Sequence, residues 1–441
     1  MIFTVAACNQ NNELKSTIPA SASAVVSLNI PAITQQFELS GKQSDSQLGM
    51  FTDILLHAGV DNEKKSYVYV PEKGFKSVWL FKIADENALR EYIKGKWGCE
   101  MEKDSQCEYL IRGEQVYAYH NTMLLIGLLN LGSDETAVLN NARLGLTAQE
   151  ENICDIESAS DILEDDNHCA GAFINMQRAS ALVNSSKSFK DLVKSYPPLQ
   201  LFIDNDLKAI TATIDIKDDK AMITTAAVAD ENSQFMKLLS DITNAPGSEF
   251  LSVVPNTMTS ILAMSVNGEQ LASLKPIEDM ENVVRQMPFM GKFDLRKLIA
   301  AINGPLTISA QEDQTFDDEY NYIITAKSDN PRIITEAIKS FYASWGQAPD
   351  VYNGEEIYAY GNKKITVGVT SDKVAYIKML NYDSTDSALG EDKDLCALFE
   401  SAPFVVSVYN EDVSFQYTLD KEANGNGVVE PASAFMNLLI F

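Results

Sequence analysis

Histidine is nearly missing from this chain: 441 residues hold three, His57, His120 and His168. His57 falls on a predicted helix ending at Gly59 and His120 in a predicted hairpin turn, both structural positions. No H-E-x-x-H, G-x-S-x-G or G-x-x-x-x-G-K-[ST] occurs, which excludes the signatures of zinc proteases, nucleophile-elbow hydrolases and phosphate-cradling loops. His168-Cys169 with Cys154 falls short of four zinc ligands at a recognisable spacing. Asn424-Gly425-Asn426-Gly427 lacks the third glycine and the βαβ surroundings of a dinucleotide loop. No catalytic residue, metal or cofactor is assigned, although a serine or carboxylate enzyme with scattered residues stays open. Tryptophan is equally scarce, at three, which argues mildly against a dedicated glycan-binding protein.

Positive charge is also short. Lys and Arg number 35 against 62 Asp and Glu, a formal net charge of −27. Phosphate backbones need a basic patch, and none is present, so no nucleic-acid partner is expected. The acidity reads as a solvated face that keeps a secreted protein soluble. Two acidic stretches invite calcium. Asp420 to Glu430 lacks EF-hand spacing and suits a hairpin turn better; Glu312-Asp313 with Asp317-Asp318-Glu319 suits an exposed loop. Beyond the first few residues no run of about 20 apolar residues occurs, so no membrane-spanning helix is expected.

Internal repetition is what the chain does have. Gly113-Glu114-Gln115-Val116-Tyr117-Ala118-Tyr119 reappears as Gly354-Glu355-Glu356-Ile357-Tyr358-Ala359-Tyr360. Ile18-Pro19 before an apolar run answers to Val254-Pro255, Trp97-Gly98 to Trp345-Gly346, and Phe235-Met236 to Phe435-Met436, in the same order. Conserved order at a long period marks one supersecondary unit built twice. Within each copy, period-2 runs such as Lys76–Ile83 alternate with amphipathic helices. Asp85 caps one helix, whose buried face is Ala88, Leu89, Tyr92 and Ile93; Asn330 and Pro331 open its counterpart. Hairpins mixed with helices predict an α+β fold of two homologous lobes, mostly antiparallel sheets with packed helices. The expected boundaries are 1–8, a lipoprotein-signal remnant; 9–17, a polar tether; 18–250, the first repeat; and 251–441, the second.

Val5-Ala6-Ala7-Cys8 fits the box read by the lipoprotein signal peptidase: an aliphatic residue, two small ones, then the cysteine to be lipidated. Met1–Ala7 is too short for a signal peptide and has no Lys or Arg, so Met1 reads as an internal start or a truncated gene model. Cys8 is thus the lipid-attachment candidate. Cys99 and Cys107 flank a loop that the second copy makes short, and a disulfide there would brace it; Cys154 with Cys169 is a second pairing. Tyr117 and Tyr119, with Tyr358 and Tyr360, alternate along their strands and share one face in each copy. Exposed, they form a binding face for sugars or peptides; buried, they are core.

The lipobox, the Ile18-Pro19 opening and the Gly-Glu-x-[VI]-Tyr-Ala-Tyr segments resemble a family of uncharacterised Bacteroidetes lipoproteins carrying a domain of unknown function. The resemblance implies export, an N-terminal lipid and a duplicated α+β body, and it supplies no activity. The expected protein is a lipid-anchored cell-envelope protein on the outer membrane, periplasmic or surface-exposed. It meets the membrane through its lipid and takes a glycan or protein ligand, in a binding or structural role. An envelope hydrolase on glycan or peptide, or a surface adhesin or assembly subunit, are the other readings.

Overall fold

A computed structural model describes residues 12–36, 47–129, 134–179, 207–230, 244–286, 294–312, 320–344, 346–361, 363–381, 388–409 and 413–434, with isolated positions between 231 and 243. The fold is α+β, with a large antiparallel sheet and several helices. Two compact units divide the described residues: 12–179 with 207–228 and 429–434, and 229–428. A boundary at 250 is therefore not observed. Residues 244–250 go with the second unit because Phe250 stacks edge-on against Phe399 (5.1 Å) and Gly247 N donates to Phe399 O (3.2 Å). The 429–434 stretch goes with the first, where Ala432 N donates to Asp219 O (2.7 Å) and Glu430 pairs with Lys220 (2.9 Å).

The first unit contains β1 (Ala24–Leu28), β2 (Ser66–Val70), β3 (Phe75–Lys82), β4 (Glu102–Lys103), β5 (Glu108–Arg112), β6 (Gln115–His120), β7 (Met123–Leu129), β8 (Ala170–Asn175), β9 (Leu207–Lys217) and β10 (Lys220–Ala229). They pair in the order β4-β5-β6-β7-β3-β2-β1-β8-β9-β10. The second contains β11 (Ser260–Asn267), β12 (Asn303–Glu312), β13 (Tyr320–Lys327), β14 (Asp350–Tyr352), β15 (Glu355–Tyr360), β16 (Lys363–Val369), β17 (Val374–Leu380), β18 (Phe404–Tyr409), β19 (Ser414–Leu419) and, up to Val428, β20 (Asn424–Glu430). Their order is β14-β15-β16-β17-β13-β12-β11-β18-β19-β20. The repeated Tyr-Ala-Tyr segment lies on β6, two places from β3, but on β15, three places from β13. The second unit runs β17 beside β13, whereas the first follows β7 with the helix Glu135–Gly145.

Both faces of the first sheet are covered. On one, Phe51 of the helix Gln47–His57 meets Trp79 (5.8 Å) and Phe81 (5.5 Å). Beside it lies the helix Glu86–Trp97, capped by Asp85, whose carboxylate accepts from Asn87 N and Ala88 N, and closed by Gly98 at φ 67°. Its Leu89 and Ile93, one turn apart, are buried as the periodicity predicts. On the other face, Val138, Ala142, Ala159 and Leu163 from two helices cluster with Tyr69, Val78, Leu80 and Phe173. In the second unit, Ile334, Ile338 and Tyr342 of the helix Pro331–Ser344 cluster with Tyr358, Ile365 and Val367. Its other cluster gathers Phe250, Ile261, Ile323, Phe399 and Val405.

Residues 12–17 are not tether. Asn12–Ser16 is a helical turn whose Leu14, Lys15 and following Ile18 are buried. Burying those apolar side chains stabilises more than leaving the segment in water, and Lys15 is admitted because Glu164 pairs with it. The segment is stitched down further where Gln149 N donates to Ser16 O (2.8 Å) and Ile153 N to Ile18 O (2.9 Å).

Candidate functional site

A cleft of about 560 Å³ opens in the second unit where β11 ends, β12 begins and β13 runs into the helix Pro331–Ser344. Volumes of a few hundred Å³ suit small ligands. Two Asn-Gly pairs shape it. Asn267 leaves β11 and caps the helix Gly268–Ser273, its Oδ1 accepting from Gln270 N (3.3 Å). Gly268 N donates to Ile302 O (2.8 Å), an approach so close that a Cβ at 268 would lie 2.1 Å from Ile299 O. Asn303 grips Asp329, accepting from its backbone N–H (3.0 Å) and donating Nδ2 to its carboxylate. Gly304 follows at φ 143°, outside the range of most side chains. Ser328 Oγ donates to Ala301 O and accepts from Asn330 N (3.2 Å).

Part of the polar wall is thus spent on holding its own shape, while among the described residues the Asn244 and Asn330 side chains and the Asn267 Nδ2 make no hydrogen bond. Ser265, 6% exposed, belongs to the lining, but its Oγ is buried and has no hydrogen-bond partner among the described residues. Glu269 forms no ion pair among the described residues, and Asp329 keeps one carboxylate oxygen beyond its bond to Asn303. Among the described residues no Lys or Arg lines the cleft, and Val266, Ile302 and Ile333 supply apolar surface.

Tyr117, Tyr119 and Tyr358 take the buried one of the two readings. Tyr117 is 0% exposed, Tyr119 6% and Tyr358 3%, so they are core. The cause is the covering helix in each unit: Trp97 meets Tyr117 edge-on (6.1 Å) and Tyr342 stacks on Tyr358 (4.4 Å). The Tyr117 and Tyr358 phenols donate two residues back, to Gln115 Oε1 (2.7 Å) and Glu356 Oε2 (2.8 Å), whereas the buried Tyr119 OH has no partner among the described residues. Burial pushes the Tyr117 phenol up to about 12. Tyr360 ends β15, and its side chain lies outside the described residues, as does Cys8.

Cys99 and Cys107 are not joined, and among the described residues no disulfide includes Cys154, Cys169 or Cys396. Cys107 turns into the core, whereas Cys99 Sγ accepts from the Arg112 guanidinium (3.3 Å). The loop is braced by charge instead. Asp104 is held down at about 2 by the Arg143 side chain and by the N–H groups of Cys107 and Gln106. Burial, then the Asp104 charge, raises the Cys107 thiol. His168 Nδ1 lies 2.7 Å from the Asp215 carboxylate, whereas Nε2 lies 3.6 Å from Asp165, beyond hydrogen-bond reach. Asp420 closes the β19–β20 turn by accepting from Glu422 N and Asn424 N (2.8 Å each), the hairpin its glycines suggested. Among the described residues, no three His, Cys, Asp or Glu converge as a metal site, and no helix is long and apolar enough to cross a membrane.

Sequence reasoning missed the cleft. Its signal was the pair of Asn-Gly dipeptides, Asn267-Gly268 and Asn303-Gly304, each at a strand end.

No protein-family model matches this chain, and no curated protein does. Among solved structures it is similar to TP0453 in crystal form IV (7% identity, covering 48% of this chain and 79% of that one, TM-score 0.33). Crystal forms I and III of TP0453 are similar at 9% and 10% identity, covering 50% and 52% of this chain and 79% and 86% of that one, each with a TM-score of 0.33. A score that low carries no argument about fold or function.

Proposed function

We propose that this chain is a lipid-anchored cell-envelope protein, built from two copies of one module, that binds a small ligand in the cleft of its second unit. The observation that carries the binding role is the open cleft of about 560 Å³, where Asn267, Glu269, Asp329 and Asn330 stand beside the apolar Val266, Ile302 and Ile333. The duplication is supported by the parallel strand orders and by matched local bonds. Ile153 N donates to Ile18 O and Leu389 N to Val254 O, both at 2.9 Å. The two tyrosine phenols make the same two-residue bond. Kinship with uncharacterised Bacteroidetes lipoproteins belongs to this reading and rests on the motifs alone. The anchor rests on Val5-Ala6-Ala7-Cys8.

Two measurements test it. Expressed behind a lipoprotein signal peptide, Cys8→Ser is expected to move the protein from the membrane to the soluble fraction; unchanged partitioning refutes the anchor. Titrating the full chain with glucose, glucosamine and glycyl-glycine, followed by NMR of the Ile302 and Ile333 methyls, is expected to move those signals for at least one. Unmoved signals with all three refute the cleft as a binding site for small sugars or peptides.

A further inference from the structure

We infer that the second unit's sheet docks on a second copy of this chain through an exposed, charge-free apolar face. The strand register defines that face. Tyr417, Val406, Leu262, Ile308, Ile324 and Ile377 stand side by side across β19, β18, β11, β12, β13 and β17. Two residues further along each strand, and so on the same side of the sheet, a second row runs Phe415, Val408, Ser260, Ala310, Tyr322 and Met379. Neither row holds a charged side chain, in a chain of net charge −27. Ile308 is 44% exposed, Ile324 and Tyr322 38% each, and Val408 36%.

The first unit shows the same face when it is roofed. There Tyr117, Ile126 and Trp79 share one cross-strand row, and Phe51 of the helix Gln47–His57 lies on Trp79, which is 0% exposed. The matching row of the second unit runs Tyr358, Ile365, Met379 and Tyr322. Tyr342 of the helix Pro331–Ser344 closes its Tyr358 end, whereas Tyr322 stays 38% exposed. A contiguous exposed apolar patch marks a contact surface, and two arguments select a second copy to cover this one. Across a two-fold axis each residue meets its own image or a neighbour of it. Copies of a chain of net charge −27 therefore meet most readily through a face that sets no carboxylate against its twin, as this one does. The area sets the strength. Ten of these twelve side chains are large and apolar, against the roughly 20–30 residues a side of a standard interface. Two such sheets packed face to face, about 10 Å apart, make a weak and reversible dimer rather than a permanent one.

The test is sedimentation velocity of the full chain between about 1 and 300 µM, where a monomer–dimer equilibrium with a Kd on the order of 10–100 µM is expected. Raising NaCl from about 50 to 500 mM is expected to tighten it threefold or more, because salt screens the repulsion between two acidic copies. Ile324→Glu sets a carboxylate close to its twin and is expected to weaken the dimer about tenfold or more; Ile308→Gln, which adds no charge, is expected to weaken it to a lesser degree. Val351→Glu adds the same charge on β14, at a residue 70% exposed and outside this face, and is expected to leave the equilibrium unchanged. A chain that stays monomeric at every concentration and salt overturns the inference. So does a dimer that withstands both Ile324→Glu and Ile308→Gln, or one that Val351→Glu breaks instead. Phosphatidylcholine vesicles serve as the competing occupant: a monomer that floats with them, and no longer does so after Ile324→Glu, would assign the face to a bilayer and overturn the dimer.

Discussion

Replacing Glu164 by Gln should unseat the N-terminal turn of the first unit. Lys15 is 2% exposed and its ammonium is paired to Glu164, whose side chain is 51% exposed. Breaking a fully buried pair costs about 3–5 kcal/mol because the remaining charge is stranded; with one partner half in water, about 2–3 kcal/mol is expected. Lys15→Met keeps the aliphatic stem in its site and removes the charge, so it should cost less than about 1 kcal/mol. In the double variant the stranded charge is gone, and most of the Glu164→Gln penalty should disappear, giving a coupling of about 1.5 kcal/mol or more. Guanidinium unfolding read through the fluorescence of the buried Trp79 would report the first unit. The reasoning fails if Glu164→Gln is neutral, or if Lys15→Met destabilises as much as Glu164→Gln does. The pair also fixes a pH dependence. The Lys15 hydrogen bond holds the Glu164 carboxyl below its usual range. The stabilisation is therefore complete above the ordinary carboxylate pKa and is lost as pH falls through the lower folded value. Lys15→Met should flatten that acid limb.

Phe51→Ala removes the ring that packs on Trp79 and Phe81 and should cost about 3–5 kcal/mol of first-unit stability in the same unfolding assay. Gly268→Ala drives a methyl into Ile299 O and Ile302 O and should cost about 2–3 kcal/mol, read as a lowered melting temperature; an unchanged melt would contradict the close approach at the cleft wall. Thiol titration of the native protein should label Cys99 quickly and Cys107 slowly, since burial raises the latter and hides it. A Cys99–Cys107 cross-link in a non-reducing peptide map would contradict the free thiols.

Elements with strong local signals were legible in the chain. The Asp85 cap, the Leu89/Ile93 stripe and the Asp420 turn formed as predicted, because each depends on neighbours within a few residues. Placement of the Tyr-Ala-Tyr strands was not legible. Alternation assigns Tyr117 and Tyr119 to one face, but whether that face meets water depends on the helix carrying Trp97, which packs there from about 20 residues upstream. The same limit applies to Cys99 and Cys107. Their spacing allows a bond, and only the inward turn of Cys107 beside Asp104 and Arg143 removes it.

Sequence by itself determined the class of the fold, the charge that disfavours polyanions, and the repeated motifs, since composition and short-range periodicity are properties of the chain. Tertiary structure decided the rest. It drew residues 12–17 into the core, put β17 between β16 and β13, and converged Ser265, Glu269 and Asp329 on one cleft. The physical reason is that these outcomes turn on contacts between residues tens to hundreds of positions apart, where burial and charge pairing outweigh any local preference.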